Sequence, residues 1–208
     1  TANGRRSYDY GHDYQNLPQL FKAKKHLLDE QHGLCAYCQS RLIPDTASIE
    51  HLVPKEYNKE LSTDYYNLVA VCLNPLQDEH NGRRHCDKER GSLLLTPIIQ
   101  YQNAEVTNAA NHAYFRHQNL GEIIPKRNLP ADINNQVHSF INILNINHTA
   151  LIYNRSAAIN GILQVFQNLP NHQRRFFWEL QRNRILMNPN QEYRQFLLIY
   201  ISTKLGIN

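Results

Sequence analysis

Apolar positions change their period more than once along this chain. Over residues 17–33 (LPQLFKAKKHLLDEQHG) they fall at Leu17, Leu20, Phe21, Leu27 and Leu28, the spacing of one helix face, and Gly33 stands where a C-cap would. RLIPDTASIEHLVP (41–54) reads as a hairpin: two short β-like runs around a Pro44-Asp45 turn, with His51 near the end of the second strand. TDYYNLVAVC (63–72) is short and apolar, LNPLQDEHNGRR (73–84) is a polar loop with Asn81-Gly82, and HCDKERG (85–91) gives one or two helical turns stopped by Gly91. Residues 92–128 read as short strands, and HAYFRHQNLGEIIP (112–125) predicts a hairpin around Asn119–Gly121. Pro125 and Pro130 bracket a linker-like stretch. From 132 onward the period is helical, over about 132–143, 148–168, 172–187 and 191–205, with Asn147, Asn171 and Asn190 where N-caps would stand.

These elements predict an α+β fold in three parts: an N-terminal segment and helix (1–33), a compact core holding every cysteine (34–128), and a mainly helical C-terminal region (129–208). Phe176, Phe177, Trp178, Tyr193, Phe196 and Tyr200 can build a helical core or a sticky face. Hydrophobic residues make up 41% of the 208 positions, a low share for a globular chain, so a core is expected under a largely polar surface. No run of eighteen apolar residues occurs and the first residues have no apolar signal region, which predicts a cytoplasmic protein that does not enter the membrane. Charge is uneven. Residues 1–100 carry 12 Lys+Arg against 13 Asp+Glu, and residues 101–208 carry 10 against 5. A basic second half suits a polyanion such as nucleic acid, or equally an acidic partner surface; a solvated helix face gives the same count.

The four cysteines, Cys35, Cys38, Cys72 and Cys86, all lie within 52 residues. Without an export signal a disulfide framework is not expected. Cys35-x2-Cys38 is a knuckle that brings two thiolates to one tetrahedral ion, and Cys72 and Cys86 complete an all-thiolate structural zinc site. The competing reading is a redox Cys-x-x-Cys with two unrelated thiols. His80 and His85 are possible substitute ligands, though each is more often an ordinary loop histidine.

A shared ion folds the intervening chain over a small centre and draws Glu50, His51, Asn67 and Asp87 together. Glu50 and Asp87 offer hard oxygen ligands for Mg²⁺ or Mn²⁺. His51 can take a proton from water near neutral pH. Asn67 can hold a backbone carbonyl or the second nitrogen of the histidine.

The run CAYC … IEHLVPK … YYNLVAVC … HCDKERG resembles the HNH nuclease family, whose fold is a β-hairpin and helix around one metal (ββα-metal). The resemblance implies a zinc-stapled HNH core over 34–128 and metal-dependent phosphodiester hydrolysis. His51, Asn67 and Arg90 are then catalytic, Glu50 and Asp87 hold the ion, and Lys55 and Lys88, with Arg90, contact phosphate. Asp87 stands where the family usually has His or Asn, and the Cys72–Cys86 spacing is longer than the family's usual. LLDEQHGLCAYCQSRL and ILNINHTALIYNRSAAI are further similar to the HNH subunit that accompanies an ABC/SMC-like ATPase in Septu anti-phage systems and some retrons. That likeness implies a nuclease subunit with an ATPase partner and a nucleic-acid substrate. Helices that serve the partner would also be separable, so deletion from about residue 130 is expected to leave the zinc centre metallated. A catalytically inert zinc-stapled module that binds nucleic acid or a partner is the alternative.

Overall fold

The computed structural model describes residues 17–73, 84–95 and 114–207. Helix α1 (Leu17–Glu30) buries Ala23, Leu27 and Leu28, an i, i+4, i+5 face that packs on the first hairpin. It ends in a Schellman turn: His32 takes the left-handed conformation (φ 55°) and donates to Asp29, while Gly33 N–H donates to the Leu28 carbonyl at 2.8 Å. Gly33, expected at the cap, is left-handed too (φ 66°), so the cap uses two left-handed residues, His32 and Gly33.

Strand β1 (Ala47–His51) pairs antiparallel with β2 (Leu68–Cys72), in a register that sets Ala47 opposite Cys72 and His51 opposite Leu68. The expected hairpin around Pro44-Asp45 does not form. Pro44–Thr46 is a single 3-10 turn closed by the Thr46 hydroxyl on Ile43, and the run before it folds back on the knuckle through a Leu34–Arg41 bridge. The LVAVC run supplies β1's partner because Leu68 to Val71 are all buried. On its outer edge the Gln31 amide continues the ladder, donating to the Ala70 carbonyl (2.8 Å) and accepting from the Ala70 N–H (2.7 Å).

The four-residue helix α2 (Asp87–Arg90) follows Cys86 directly. A second hairpin, β3 (Phe115–His117) with β4 (Ile123–Pro125), forms around the expected turn. Gly121 is required there: at φ 90° it lies so close to the next helix that a Cβ would sit 2.2 Å from the Ile152 carbonyl oxygen. Four helices complete the described fold: α3 (Ala131–Ile143), α4 (Thr149–Gln167), α5 (Asn171–Leu186) and α6 (Arg194–Leu205). No helix among the described residues is long and apolar enough to cross a membrane. Phe177, Trp178, Tyr193, Phe196 and Tyr200 are buried, and Phe176 is exposed.

The N-caps fall elsewhere than expected. His148 caps α4 by accepting from Ala150 N–H, and Asn147 instead clamps Ile123 through both its amide atoms. Pro170 precedes α5, and Tyr193, not Asn190, precedes α6.

One apolar core runs from Ala23 to Leu205, so the boundary expected at 129 falls inside it. The C-terminal region also grips the knuckle directly. Tyr193 N–H donates to the Gln39 carbonyl (3.0 Å), Gln195 N–H to the Gln39 side chain (2.8 Å), Arg41 N–H to Glu192 (2.7 Å), and the Ser40 hydroxyl to Tyr193 (3.2 Å). Tyr193 adopts a left-handed φ of 54° to make these bonds, a conformation unfavourable for a bulky residue. A deletion from residue 130 would remove these partners of Gln39, Ser40 and Arg41.

Candidate metal centre and active site

The β1–β2 ladder ends at Cys72, the knuckle supplies Cys35 and Cys38, and Cys86 arrives at the start of α2. Their four sulfurs lie within 4.8 Å of one another. Cys72 Sγ is 3.8 Å from Cys35 Sγ and 3.9 Å from Cys38 Sγ. A tetrahedron of thiolates at 2.3 Å from zinc has an edge of about 3.8 Å, so the donor set fits the ion in chemistry and in size. All four cysteines are free of disulfide bonds, and three are fully enclosed. Thiols so close cannot all ionise unaided. Hydrogen bonds, first from Cys35, hold Cys38 well below the usual thiol range, while burial pushes Cys86 well above it. A divalent cation removes that conflict.

The cluster is tied to its surroundings at each corner. Cys72 N–H donates to Cys35 Sγ, and Cys86 N–H donates to the Leu144 carbonyl at 2.8 Å. Cys86 takes a left-handed φ of 57°, which turns the chain into α2. His85 Nδ1 lies 3.2 Å from Cys86 Sγ and 3.7 Å from Cys72 Sγ, and its ring rests on His148. His85 therefore flanks a thiolate set that is complete without it. His80 and most of the 73–84 loop lie outside the described residues, as does much of 92–128.

Arg90 organises the second part of the site. It is 1% exposed, and its guanidinium donates to the carbonyls of His51 (2.7 Å), Leu52 (2.6 Å) and Leu93 (2.9 Å), to the Tyr37 hydroxyl (2.9 Å), and to the Glu50 carboxylate in an ion pair. A guanidinium with its donors so committed leaves no room for the phosphate contact expected of Arg90; it positions the end of β1. Tyr37, inside the CAYC knuckle, went unnoticed in the sequence. Burial pushes its hydroxyl pKa up, and it links the zinc knuckle to Arg90.

Glu50 leaves β1 beside Asp87, the first residue of α2. Burial, then the hydrogen bond and charge of Asp87, push its carboxyl up to about 8, although Arg90 opposes them. Two carboxyls in contact share a proton or a cation. Among the described residues the four cysteines are the only group of three or more metal-type donors, and Glu50 and Asp87 stand apart from it as a pair of adjoining carboxyls.

His51 is buried at the end of β1, with Nε2 3.0 Å from the Ser62 carbonyl. A carbonyl only accepts, so Nε2 carries the proton and Nδ1 the lone pair. Burial lowers the ring's pKa, partly offset by the Ser62 carbonyl, and keeps the imidazole neutral near pH 7. Asn67, opposite on β2's approach, spends its whole amide on the loop after His51. It accepts from Val53 N–H (2.8 Å) and donates to the carbonyls of Val53 (3.0 Å) and Leu61 (3.0 Å). Of the two roles expected for Asn67, it plays the one that holds backbone carbonyls. Lys55 is half-buried and Lys88 exposed.

A scan against protein-family models finds no match. A search of curated proteins finds none either. The chemistry of the site therefore rests on its own geometry and on the motif residues themselves.

Proposed function

We propose that this chain is a metal-dependent endonuclease of the HNH kind, hydrolysing phosphodiester bonds at Glu50, His51 and Asp87. The observation that carries the reading is the end of β1. There a paired carboxylate site and a tautomer-fixed imidazole are delivered by adjacent residues, over a scaffold locked by Arg90 and Asn67. Glu50 and Asp87 would hold Mg²⁺ or Mn²⁺, which neutralises charge on phosphate oxygens. His51 Nδ1 takes the proton from an attacking water as its oxygen bonds to phosphorus, and the bond from phosphorus to the 3′ oxygen breaks, that oxygen leaving as an alcohol with a proton from solvent. Lys55 and Lys88 assist by contacting flanking phosphates. Arg90 and Asn67 act as positioning residues, holding the backbone on both sides of His51. The four cysteines carry a structural zinc beneath this centre.

The resemblance to defence-system subunits supports a further step within this reading, namely work beside an ABC/SMC-like ATPase against phage. An inert zinc-stapled binding module accounts for the cysteines. It gives no reason for a carboxylate pair beside a buried, neutral imidazole.

His51→Ala is the deciding variant. It is expected to reduce cleavage of plasmid DNA or RNA in Mn²⁺ or Mg²⁺ by at least ~100-fold, the lower end of the range for loss of a general base. Zinc content, by mass spectrometry of the metal, stays at one per chain. Wild-type cutting by the alanine variant, or no cutting by the wild type with its zinc in place, refutes the proposal.

A further inference from the structure

A cleft of about 350 Å³ opens between the second hairpin, the turn after it and α3, built from residues that the centre above does not use. The strand period explains its character. Phe115 and Ile123 turn one face of the β3–β4 hairpin to the core, which leaves Arg116, Gln118 and Lys126 for the other. Asn134 and His138, one helical turn apart, line the facing side, while Val137, Phe140 and Ile141 carry α3's buried side. Arg127 closes the mouth beside Asn128, which is held left-handed at φ 62°.

Two facts make this more than a polar dent. Arg116, Lys126 and Arg127 line it together and no carboxylate does. Like charges gathered without a counter-charge repel one another until an anion arrives. The Arg116 Nε–H is also buried and finds no acceptor among the described residues. A buried donor left without an acceptor is costly, and an entering oxyanion supplies one.

We infer that this cleft binds a phosphodiester unit of a nucleic-acid strand, with its phosphate on Arg116, Lys126 and Arg127 and its base edge within reach of the Gln118 and Asn134 amides. The inference rests on the nuclease reading for the substrate class. It adds an anchoring site outside the reacting centre. The cleft's volume falls at the small end of ligand sites and suits one nucleotide unit rather than a base-paired segment. A single strand is therefore the form it takes.

The test uses the full-length, zinc-loaded chain carrying His51→Ala and a fluorescein-labelled single-stranded DNA oligonucleotide, with anisotropy followed over a series of KCl concentrations. Adding Arg116→Gln with Arg127→Gln is expected to weaken binding about tenfold or more and to lower the slope of log affinity against log salt by about 1.4, about 0.7 for each single-strand phosphate contact. Arg175→Gln with Arg184→Gln, an equal charge removal on exposed α5, is expected to change affinity by less than about threefold. Lys126→Gln with Arg127→Gln, on a chain whose melting profile matches the parent, gives the same loss without touching the buried Arg116 Nε. Equal affinity and slope for the cleft and α5 pairs overturns the inference. So does a polyglutamate peptide that displaces the strand as well as unlabelled oligonucleotide does, since the site would then take acidic peptide. Adenosine monophosphate that binds in an Arg116-dependent way, while the strand is indifferent to the cleft variants, assigns the site to free nucleotides and overturns it too. The two readings fail separately: a His51→Ala chain that still cuts removes the catalytic assignment, and strand binding indifferent to the cleft pair removes this one.

Discussion

The cysteine region and the helical region reach order by different means. β1 and β2 have five residues each and α2 has four, whereas α3 to α6 run from 12 to 19. Short elements bury little apolar surface, and here they surround buried polar groups: three of the four thiols, Arg90, Asn67 and His51. Those groups are held by directed bonds with fixed lengths. In the helices the deepest positions are Val137, Ile159, Leu198 and Ile201, whose contacts are numerous and individually weak. The first region gains fixed geometry and becomes brittle, since few directed bonds carry it. The second tolerates local loss.

The contrast predicts a ranking of damage. Cys86→Ser should be the worst change, because a structural zinc is worth on the order of 10 kcal/mol or more to its fold. Loss of both zinc and soluble protein is expected, measured by metal analysis and yield; a soluble variant that melts like wild type would mean that the staple does not hold the region. Arg90→Met comes next. It leaves the Glu50 carboxyl and the carbonyls of His51 and Leu52 without their donor, at a cost of about 3–5 kcal/mol for a broken buried pair. Chemical denaturation should show that loss, and Arg90→Lys should not restore it, because one ammonium cannot span the same acceptors.

Leu198→Ala, at 0% exposure, should cost about 2–5 kcal/mol by leaving a cavity, yet the folded fraction should keep its full zinc. Zinc loss in step with this cavity would merge the two regions into one cooperative unit. The smallest effect is set by acid. His117, wedged between Phe196 and Tyr200 with Nε2 on the Phe196 carbonyl, is held down to about 4 chiefly by burial. The unfolded chain protonates this ring near 6.5, so between pH 6.5 and 4 it binds more protons than the folded one. Stability is therefore intact above 6.5 and falls as pH drops to 4, by at most about 3 kcal/mol. His117→Gln keeps a donor for the carbonyl and should flatten that part of the stability profile. An unchanged acid slope would assign it to other groups.

The same contrast explains what the sequence made legible. Cysteine spacing announces a tetrahedral site because ligand geometry allows few alternatives, and the four sulfurs do converge. Helical periods announced α3 to α6 because twelve or more residues average out local accidents. Strand pairing was misread, since RLI and LVAVC are equally plausible partners for β1 on pattern alone. Only burial of the second settles the choice. Asn147 looked like an N-cap by position, but its amide serves Ile123, a contact 24 residues away that no local rule contains. The resemblance implies for Arg90 a catalytic role and, with Lys55 and Lys88, contact with phosphate. Its burial comes from the convergence of Tyr37, Glu50 and the β1 end, which appears only once the chain is folded.

The bonds from residues 190–195 to the knuckle at Gln39 also have a meaning in time. A chain is made from its N-terminus, and domains fold as their residues emerge. The knuckle is synthesised early, but the segment that fixes its outer loop comes more than 150 residues later. Closing so long a span delays the contact even though it adds little to its equilibrium cost. A nascent chain thus carries cysteines, carboxylates and imidazole long before residues 190–195 can set them in place, and the finished centre waits for that segment.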